Sequence, residues 1–478
     1  MESDNINPVP PKLQGERLAE SEQQFRNRLS TADQEGRRLW VYPKQPHGKF
    51  YRWRTWFSYL QLIVLFGLPF VKIGGQPAIM LNLLERKFII CGHVFWPQDM
   101  YLFGLALLTL ILFILFVSAT LGRIWCGWLC PQTLFMEMVF RKLEYWIEGD
   151  AAAQRQINAA PLTPGKLAKK TLKHALFFGL AFVIGNIFLA YIIGIEELWR
   201  IVTGPPTAHL AGLTAMTLFA LVFYGVYIRF REQMCIMVCP YGRLQSVLQD
   251  GDTVMVSYDY RRGEPRGGNR QKYAAGELGD CLDCRQCQAS CPTGIDIRNG
   301  IQLECINCTA CIDACDSVMA KANRAPGLIR YASSNMIAEK TKFRLSTRSI
   351  AYGAIFCLLF IVTTMFLARR AEVHAIVTRI PGSLMRQMDE GRCANIYSLQ
   401  LLNKSLYENV CTLRVIQPIS GKLEVSGGQI KLAGSALEKR TFLVTMPKDE
   451  LIGIPVRITI GIFRGDTLVH TLTTNFSE

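Results

Sequence analysis

Eight of the sixteen cysteines in this chain fall between residues 281 and 315. They stand as Cys281-x2-Cys284-x2-Cys287-x3-Cys291-Pro292 and Cys305-x2-Cys308-x2-Cys311-x3-Cys315. At this spacing three thiolates wrap one cubane while the fourth reaches across to a neighbouring one, the arrangement of two-cluster ferredoxins. The crossing assigns Cys281, Cys284, Cys287 and Cys315 to one 4Fe-4S cluster, and Cys291, Cys305, Cys308 and Cys311 to the second. The competing use of so many thiols is a pair of zinc knuckles, which rarely show a doubled x2, x2, x3 pattern. Asp316 stands where the usual pattern has proline; this alters the turn after Cys315 and removes no ligand. Reduced thiols belong in a cytoplasmic segment and exclude a disulfide-stapled secreted scaffold.

A smaller pattern occurs twice, as Arg123-Ile-Trp-Cys126-Gly-Trp-Leu-Cys130-Pro131 and as Met234-Cys235-Ile-Met-Val-Cys239-Pro240. Cysteines at i and i+4 share a helix face, and the proline ends that helix and starts the next at its first position. Four soft thiolates suit Cu(I), receipt of a metal during its reduction, or a further redox centre. The plainer use of small cysteines is to pack helix ends. Two pairs with matched placement favour the chemical use, which makes Cys126, Cys130, Cys235 and Cys239 the candidate catalytic and copper-binding residues. Met234 and Met237, beside an apolar stretch, read as packing.

Both pairs follow apolar segments, so the membrane must position them. A spanning helix needs roughly 20 mainly apolar residues. Met100 to Leu121, Ala175 to Ile195, Leu210 to Ile228 and Ile350 to Ala368 qualify, and a shorter fifth run, Trp56 to Val71, is interrupted by Gln61 and Pro69. The formal charge of +15 is unevenly spread: segments 1–54, 122–173 and 229–348 hold 35 of the 53 lysines and arginines. The loops 73–99 and 196–208 hold Arg86, Lys87 and Arg200. With five spans, the positive-inside rule puts the amino terminus and the cysteine block in the cytoplasm and the carboxyl terminus outside. Arg369 and Arg370, just past the last span, weigh against this. The basic excess is thus a topology signal and not a nucleic-acid surface.

The expected fold is a multi-domain membrane protein with an α-helical bundle of five spans. Residues 1–54 form a cytoplasmic, largely flexible segment whose first 35 residues are a polar tail. Residues 55–230 hold four spans with a cytoplasmic loop at 122–173. Residues 231–348 are a cytoplasmic segment with a ferredoxin-like insert (core 275–325), and 349–369 make the fifth span. In 370–478, short alternating runs such as Thr441-Phe-Leu-Val-Thr and Val456-Arg-Ile-Thr-Ile-Gly-Ile-Phe predict an all-β immunoglobulin-like sandwich. Cys393 and Cys411 in that domain either form a disulfide or remain unpaired thiols, at least one of them packed in the sandwich. No histidine lies mid-span, which disfavours a transmembrane bis-histidine haem, and no Walker A or convincing GxGxxG loop supports nucleotide binding.

With these parts in this order, the chain resembles the cytochrome c oxidase accessory proteins of the CcoG/FixG type over roughly residues 38–478. The resemblance is carried by Trp125-Cys-Gly-Trp-Leu-Cys-Pro-Gln-Thr, Cys239-Pro-Tyr-Gly-Arg and Cys305-Ile-Asn-Cys-Thr-Ala-Cys-Ile-Asp-Ala-Cys-Asp-Ser-Val-Met. It implies a membrane-bound polyferredoxin of a bacterial inner membrane, with a periplasmic C-terminal domain. The activity implied is a cupric reductase that converts Cu(II) to Cu(I) for assembly of a cbb3-type oxidase. Two 4Fe-4S clusters are its cofactors, copper is a substrate or transient ligand, and oxidase maturation proteins are its partners. CxxxCP pairs also occur in membrane ferredoxins that serve quinol oxidation. A quinol-linked electron-transfer subunit and a non-enzymatic oxidase assembly factor therefore stay open, and the electron donor is not named.

Overall fold

The computed structural model describes residues 30–476 except 33–34, 36, 83–86, 91–92, 97–98, 371–372, 381–384, 389–390, 406, 427, 435 and 451–454. The expected polar tail lies almost wholly outside the described residues. The chain forms two compact units, one of Met1–Leu65, Ala106–Asn186 and Pro205–Ile361, the other of Phe66–Leu105, Ile187–Gly204 and Val362–Glu478.

In chain order, α1 (Lys49–Gly67) carries most of the Trp56 to Val71 run, and Pro69 closes it in a 3-10 turn. Next come α2 (Met100–Leu121), which contains no charged residue, the short α3 (Ile124–Trp128) and α4 (Arg141–Glu148). Then follow α5 (Pro164–Ile193), α6 (Leu210–Gly225) and α7 (Pro240–Leu248). Among the described residues, four helical stretches are long and apolar enough to cross a membrane: α2, α5, Pro206–Phe230 around α6, and Thr347–Ala368. The helix α1 is not one of them, because Lys49, Arg52 and Arg54 occupy its first two turns. Side chains such as Leu218, at 62% exposed, and Leu358, at 64%, present apolar surface that only lipid would cover.

The cysteine block of the first unit is framed by an antiparallel pair, β1 (Met255–Tyr258) and β2 (Ile329–Ala332), and by α8 (Gln286–Ala289) and α9 (Ala310–Lys321). Val256, Ile295, Ile312, Met319, Leu328 and Ile329 make its core together with Cys281, Cys287 and Cys305. The helix α10 (Thr347–Ala368) follows.

The C-terminal part of the second unit is built from strands. One sheet has the order β7 (Lys422–Val425), β9 (Leu437–Pro447), β5 (Arg392–Asn403), β3 (Val373–Arg379), with β4 (Arg386–Met388) also on β5. The other runs β8 (Ile430–Leu432), β6 (Asn409–Gln417), β10 (Val456–Arg464), β11 (Thr467–Phe476). Alternate residues, Tyr397, Leu399 and Leu401 on β5 and Ile458, Ile460 and Ile462 on β10, are fully buried in one core, as strand periodicity requires. Cys393 and Cys411 belong to that core as free thiols, each in a different sheet.

Candidate functional site

The two ferredoxin motifs fold as one loop repeated. Asp283 and Arg285 have φ of 51° and 54°, and Asn307 and Thr309, at the same places between the cysteines, have φ of 53° and 66°. Left-handed backbone costs a residue with a Cβ, and here it winds each loop so that successive cysteines face one cavity. Arg285 and Thr309 are also the N-caps of α8 and α9.

One apolar cavity of about 370 Å³ is lined by Cys281, Cys284, Cys287 and Cys315, with Tyr258, Met319 and Leu328 around them. A second of about 340 Å³ is lined by Cys291, Cys305, Cys308 and Cys311, together with Cys287, Val256 and Ile295. Thus α9 carries Cys315 back to the first three cysteines, and Cys291 stands with the second three. Among the described residues no three His, Cys, Asp or Glu side chains are close enough to hold a single metal ion, and this holds for Cys126, Cys130, Cys235 and Cys239 as well as for the ferredoxin motifs. A zinc knuckle needs four such donors around one ion, whereas each thiolate of a cubane binds a different iron and stands farther from its neighbours. The donor sets and their dry walls therefore fit one 4Fe-4S cluster in each cavity. Burial pushes the thiols of Cys287, Cys305 and Cys315 up to about 12 and that of Cys308 to about 11, so a bound cation is what draws their protons off.

With Asp316 in place of proline, the turn after Cys315 is altered as expected, into continuous helix. The helix α9 continues through Asp316 to Lys321, which proline in that place would prevent. Asp316 accepts the Gly327 N–H at 2.8 Å and ties the helix to the approach to β2.

The membrane cysteine pairs also share a backbone. Cys126 lies on α3 and Cys235 in the π-helical turn Met234–Val238. Cys130 (φ −67°, ψ 126°) and Cys239 (φ −68°, ψ 113°) are extended, each before a proline that opens the next helical turn. A residue before proline avoids the helical region, so the second cysteine of each pair leaves the helix face that the i, i+4 spacing alone predicts. The four thiols are near enough to feel one another's charge: Cys235 senses Cys130, Cys126 and Cys239. The Cys126 thiol donates to Gln245 Oε1 of α7 at 3.4 Å, and burial pushes it up to about 12.

This group sits on the second cluster cavity. Cys126 packs with Ile306, Cys308 and Ala310. Arg123, 5% exposed, donates from its two terminal nitrogens to the carbonyls of Leu303, in the second cluster loop, and Gly242, just past Cys239. Arg54 Nε donates to the Gly127 carbonyl at 2.8 Å. Fully buried Asn307 accepts the Val256 N–H at 3.2 Å and donates to the Leu121 carbonyl, at the end of α2, at 3.4 Å. Trp128 Nε1 donates to the Tyr331 hydroxyl at 3.3 Å, which donates in turn to the Asn307 carbonyl at 3.2 Å.

Reasoning from sequence missed these positioning residues. Arg123 and Asn307 stand inside the two motifs, where an arginine at the end of an apolar run was a usable signal. Gln245 and Arg54 offer none, since their partners lie 119 and 73 residues away.

Residues 230–334 match the model of the 4Fe-4S dicluster domain, 103–149 that of a 4Fe-4S binding domain, and 363–477 that of the IG-like fold at the C-terminal of FixG. RdxA from Cereibacter sphaeroides is 34% identical over 385 residues, which covers 76% of this chain and 80% of RdxA. The chain belongs to the FixG/RdxA family. RdxB of the same organism is 33% identical over 385 residues, 76% of this chain and 79% of RdxB. The nitrogen fixation protein FixG from Rhizobium meliloti is 37% identical over 308 residues, and there the chain spans 61% of its own length and 57% of FixG. As a member of the FixG/RdxA family with a dicluster domain over both cavities, the chain is an iron–sulfur electron-transfer protein. Its four apolar helices make it a membrane protein.

Proposed function

We propose that this chain is a cupric reductase that converts Cu(II) to Cu(I) at Cys126, Cys130, Cys235 and Cys239 for copper-site assembly in a cbb3-type haem–copper oxidase. One observation carries the proposal: Cys126 packs against the buried cluster of Ile306, Cys308 and Ala310, and Ile306 and Cys308 of that cluster line the second cluster cavity. The first cavity would hold its cluster by Cys281, Cys284, Cys287 and Cys315, the second by Cys291, Cys305, Cys308 and Cys311. A 4Fe-4S cluster bound in either place supplies one-electron chemistry.

The rest is done by the chain's own residues. Thiolates favour Cu(I) over Cu(II), which raises the metal's potential and makes gain of the single electron favourable. Gln245 Oε1 accepts the Cys126 S–H and holds the thiol in place until copper's charge drives that proton off against its burial. Arg123 ties both cysteine pairs to the second cluster loop. The concentration of lysine and arginine in 122–173 and 229–348 supports a cytoplasmic site, and the single span α10 after it a periplasmic sheet domain, which would meet oxidase maturation proteins.

The test is anaerobic mixing of dithionite-reduced, vesicle-reconstituted protein with Cu(II), with Cu(I) read by a specific chelator. The Cys130→Ser, Cys239→Ser double variant loses turnover and keeps its iron and cluster spectrum. Normal turnover in that variant sinks the thiol site. A non-enzymatic assembly factor gives no turnover at all, and a quinol-linked subunit oxidises quinol without copper.

The 4Fe-4S binding-domain match over 103–149 favours a second use of the same thiols. Cys126 and Cys130 are its only cysteines, so a cluster there would take Cys235 and Cys239 as its other ligands. An iron content of about twelve rather than about eight per chain separates the two uses.

A further inference from the structure

A wider, partly open cavity lies in the first unit between Trp40, Tyr42, Glu148, Lys173, His174 and Ile228. His174 stands on α5 just before its apolar run begins, and Ile228 stands where the apolar stretch Pro206–Phe230 ends. The cavity is therefore level with the membrane boundary, where Trp and Tyr side chains settle and where a lipid-soluble molecule can enter from the side.

Its charges are already spent on one another. Arg231 donates to Glu144 at 2.5 and 3.0 Å, Lys173 reaches Glu144 at 3.4 Å and Glu148 at 3.1 Å, and Lys170 reaches Glu148 at 2.7 Å. Arg231, Lys173, Glu144 and Glu148 are each 7% exposed or less. A phosphate or a nucleotide would have to break these pairs, whereas an uncharged ring needs only the flat side chains and a few hydrogen-bonding groups. Those groups are present: Tyr42 with Asn158 at 2.7 Å and His174 with Tyr224 at 2.5 Å.

The segment that carries Trp40 and Tyr42 also touches the loop that carries Cys291. Trp40 and Tyr42 line the cavity, and Val41 stands between them in the chain. Val41 packs against Gly294, where a Cβ would lie 3.1 Å from its side chain. The Gly294 N–H donates to the carbonyl of Cys291 at 3.2 Å, and Lys44 N–H donates to Ala289 at 2.8 Å. One residue of backbone thus separates the ring-binding face from the loop that carries Cys291.

We propose that this cavity binds the ring of a lipid-soluble p-quinol, the electron donor of the chain. Oxidation of the quinol to the quinone releases two electrons, taken one each by two iron–sulfur centres, and two hydroxyl protons, which pass to His174, exposed at the edge of the cavity, and to solvent. The proposal rests on the iron–sulfur electron-transfer reading and not on copper.

The test uses full-length, cluster-loaded protein in detergent and decylubiquinone as the probe, run in the downhill direction. Clusters reduced by dithionite are mixed with the quinone, and recovery of their visible absorption is followed. An azido-quinone locates the site by mass spectrometry. The wild type recovers at a rate that saturates with quinone, and the label falls on peptides carrying Trp40, Tyr42 or residues 170–174. Ile228→Trp, which fills the cavity, and Trp40→Ala slow recovery about tenfold, equivalent to about 1.4 kcal/mol. Both retain wild-type iron and wild-type recovery with ferricyanide, which shows that they are folded and loaded. Recovery of Ile228→Trp at the wild-type rate, labelling elsewhere, or displacement of the label by phosphatidylglycerol alone overturns the proposal. Loss of the quinone reaction with dithionite-driven Cu(II) reduction intact strikes only the donor site, and the reverse strikes only the copper site.

Discussion

Gly127 lays a bare α-carbon on the carbonyl of Ile306: a Cβ at residue 127 would stand 2.3 Å from that oxygen and 2.9 Å from the carbonyl oxygen of Asn307. Both obstacles are backbone, so neither can swing away. Gly127→Ala is expected to push the first membrane pair off the second cluster loop, at a cost of about 1–3 kcal/mol for overpacking. Thermal unfolding measures the cost, and the spectrum of the cluster at Cys305, Cys308 and Cys311 changes before that of its neighbour. A variant with wild-type stability and spectrum would refute the close approach.

Arg123 is the second joint. Its planar fork serves two carbonyls at once, those of Leu303 and Gly242, and lysine cannot reproduce a fork. Arg123→Lys should leave one buried carbonyl unsatisfied, worth about 1–3 kcal/mol. It should lower Cu(II) reduction more than iron content, which chelator assay and iron analysis read side by side.

The crossing of ligands between the motifs is testable by single changes. Cys281→Ser should disturb a different cluster from Cys291→Ser, although both lie in the first motif, because Cys281 lines the cavity with Cys315 and Cys291 the cavity with Cys305. Anaerobic preparations of the unaltered chain should carry about eight irons if only the two ferredoxin cavities are filled. A folded, zinc-loaded and iron-free protein would contradict both cavities.

Acid should weaken the first unit through Glu144. Burial opposes ionisation of this carboxyl, but Arg231, Lys173 and Arg141 outweigh burial and hold it below the ordinary glutamate range. A folded pKa below the unfolded value of about 4.3 means that the stabilisation is present above that pH and is lost as pH falls through the folded value. Glu144→Gln strands Arg231 in a buried place and should cost about 3–5 kcal/mol at neutral pH. The gap between variant and wild type should shrink below about pH 4. Chemical denaturation at pH 7 and pH 3.5 checks the sign.

What the sequence determined by itself is whatever depends on neighbours along the chain. Cysteines two and three residues apart can reach one cluster only by wrapping it, so the loops around Cys284 and Cys308 were legible as motifs before any fold was known. The apolar stretches of α2, α5, α6 and α10 were legible because a span is a matter of length and composition. The tertiary structure decided what depends on partners far away. No local pattern says that Gly127 meets Ile306, or that Gln245 reaches Cys126 across 119 positions. Arg370 is the clearest case. In sequence it is a stray cation beyond the last span, whereas in the fold it pairs with Asp99 at 2.7 Å, and Lys404 pairs with the same carboxylate at 2.6 Å. A charge's meaning is set by the counter-charge that folding brings to it, and for Arg370 that partner lies 271 residues away.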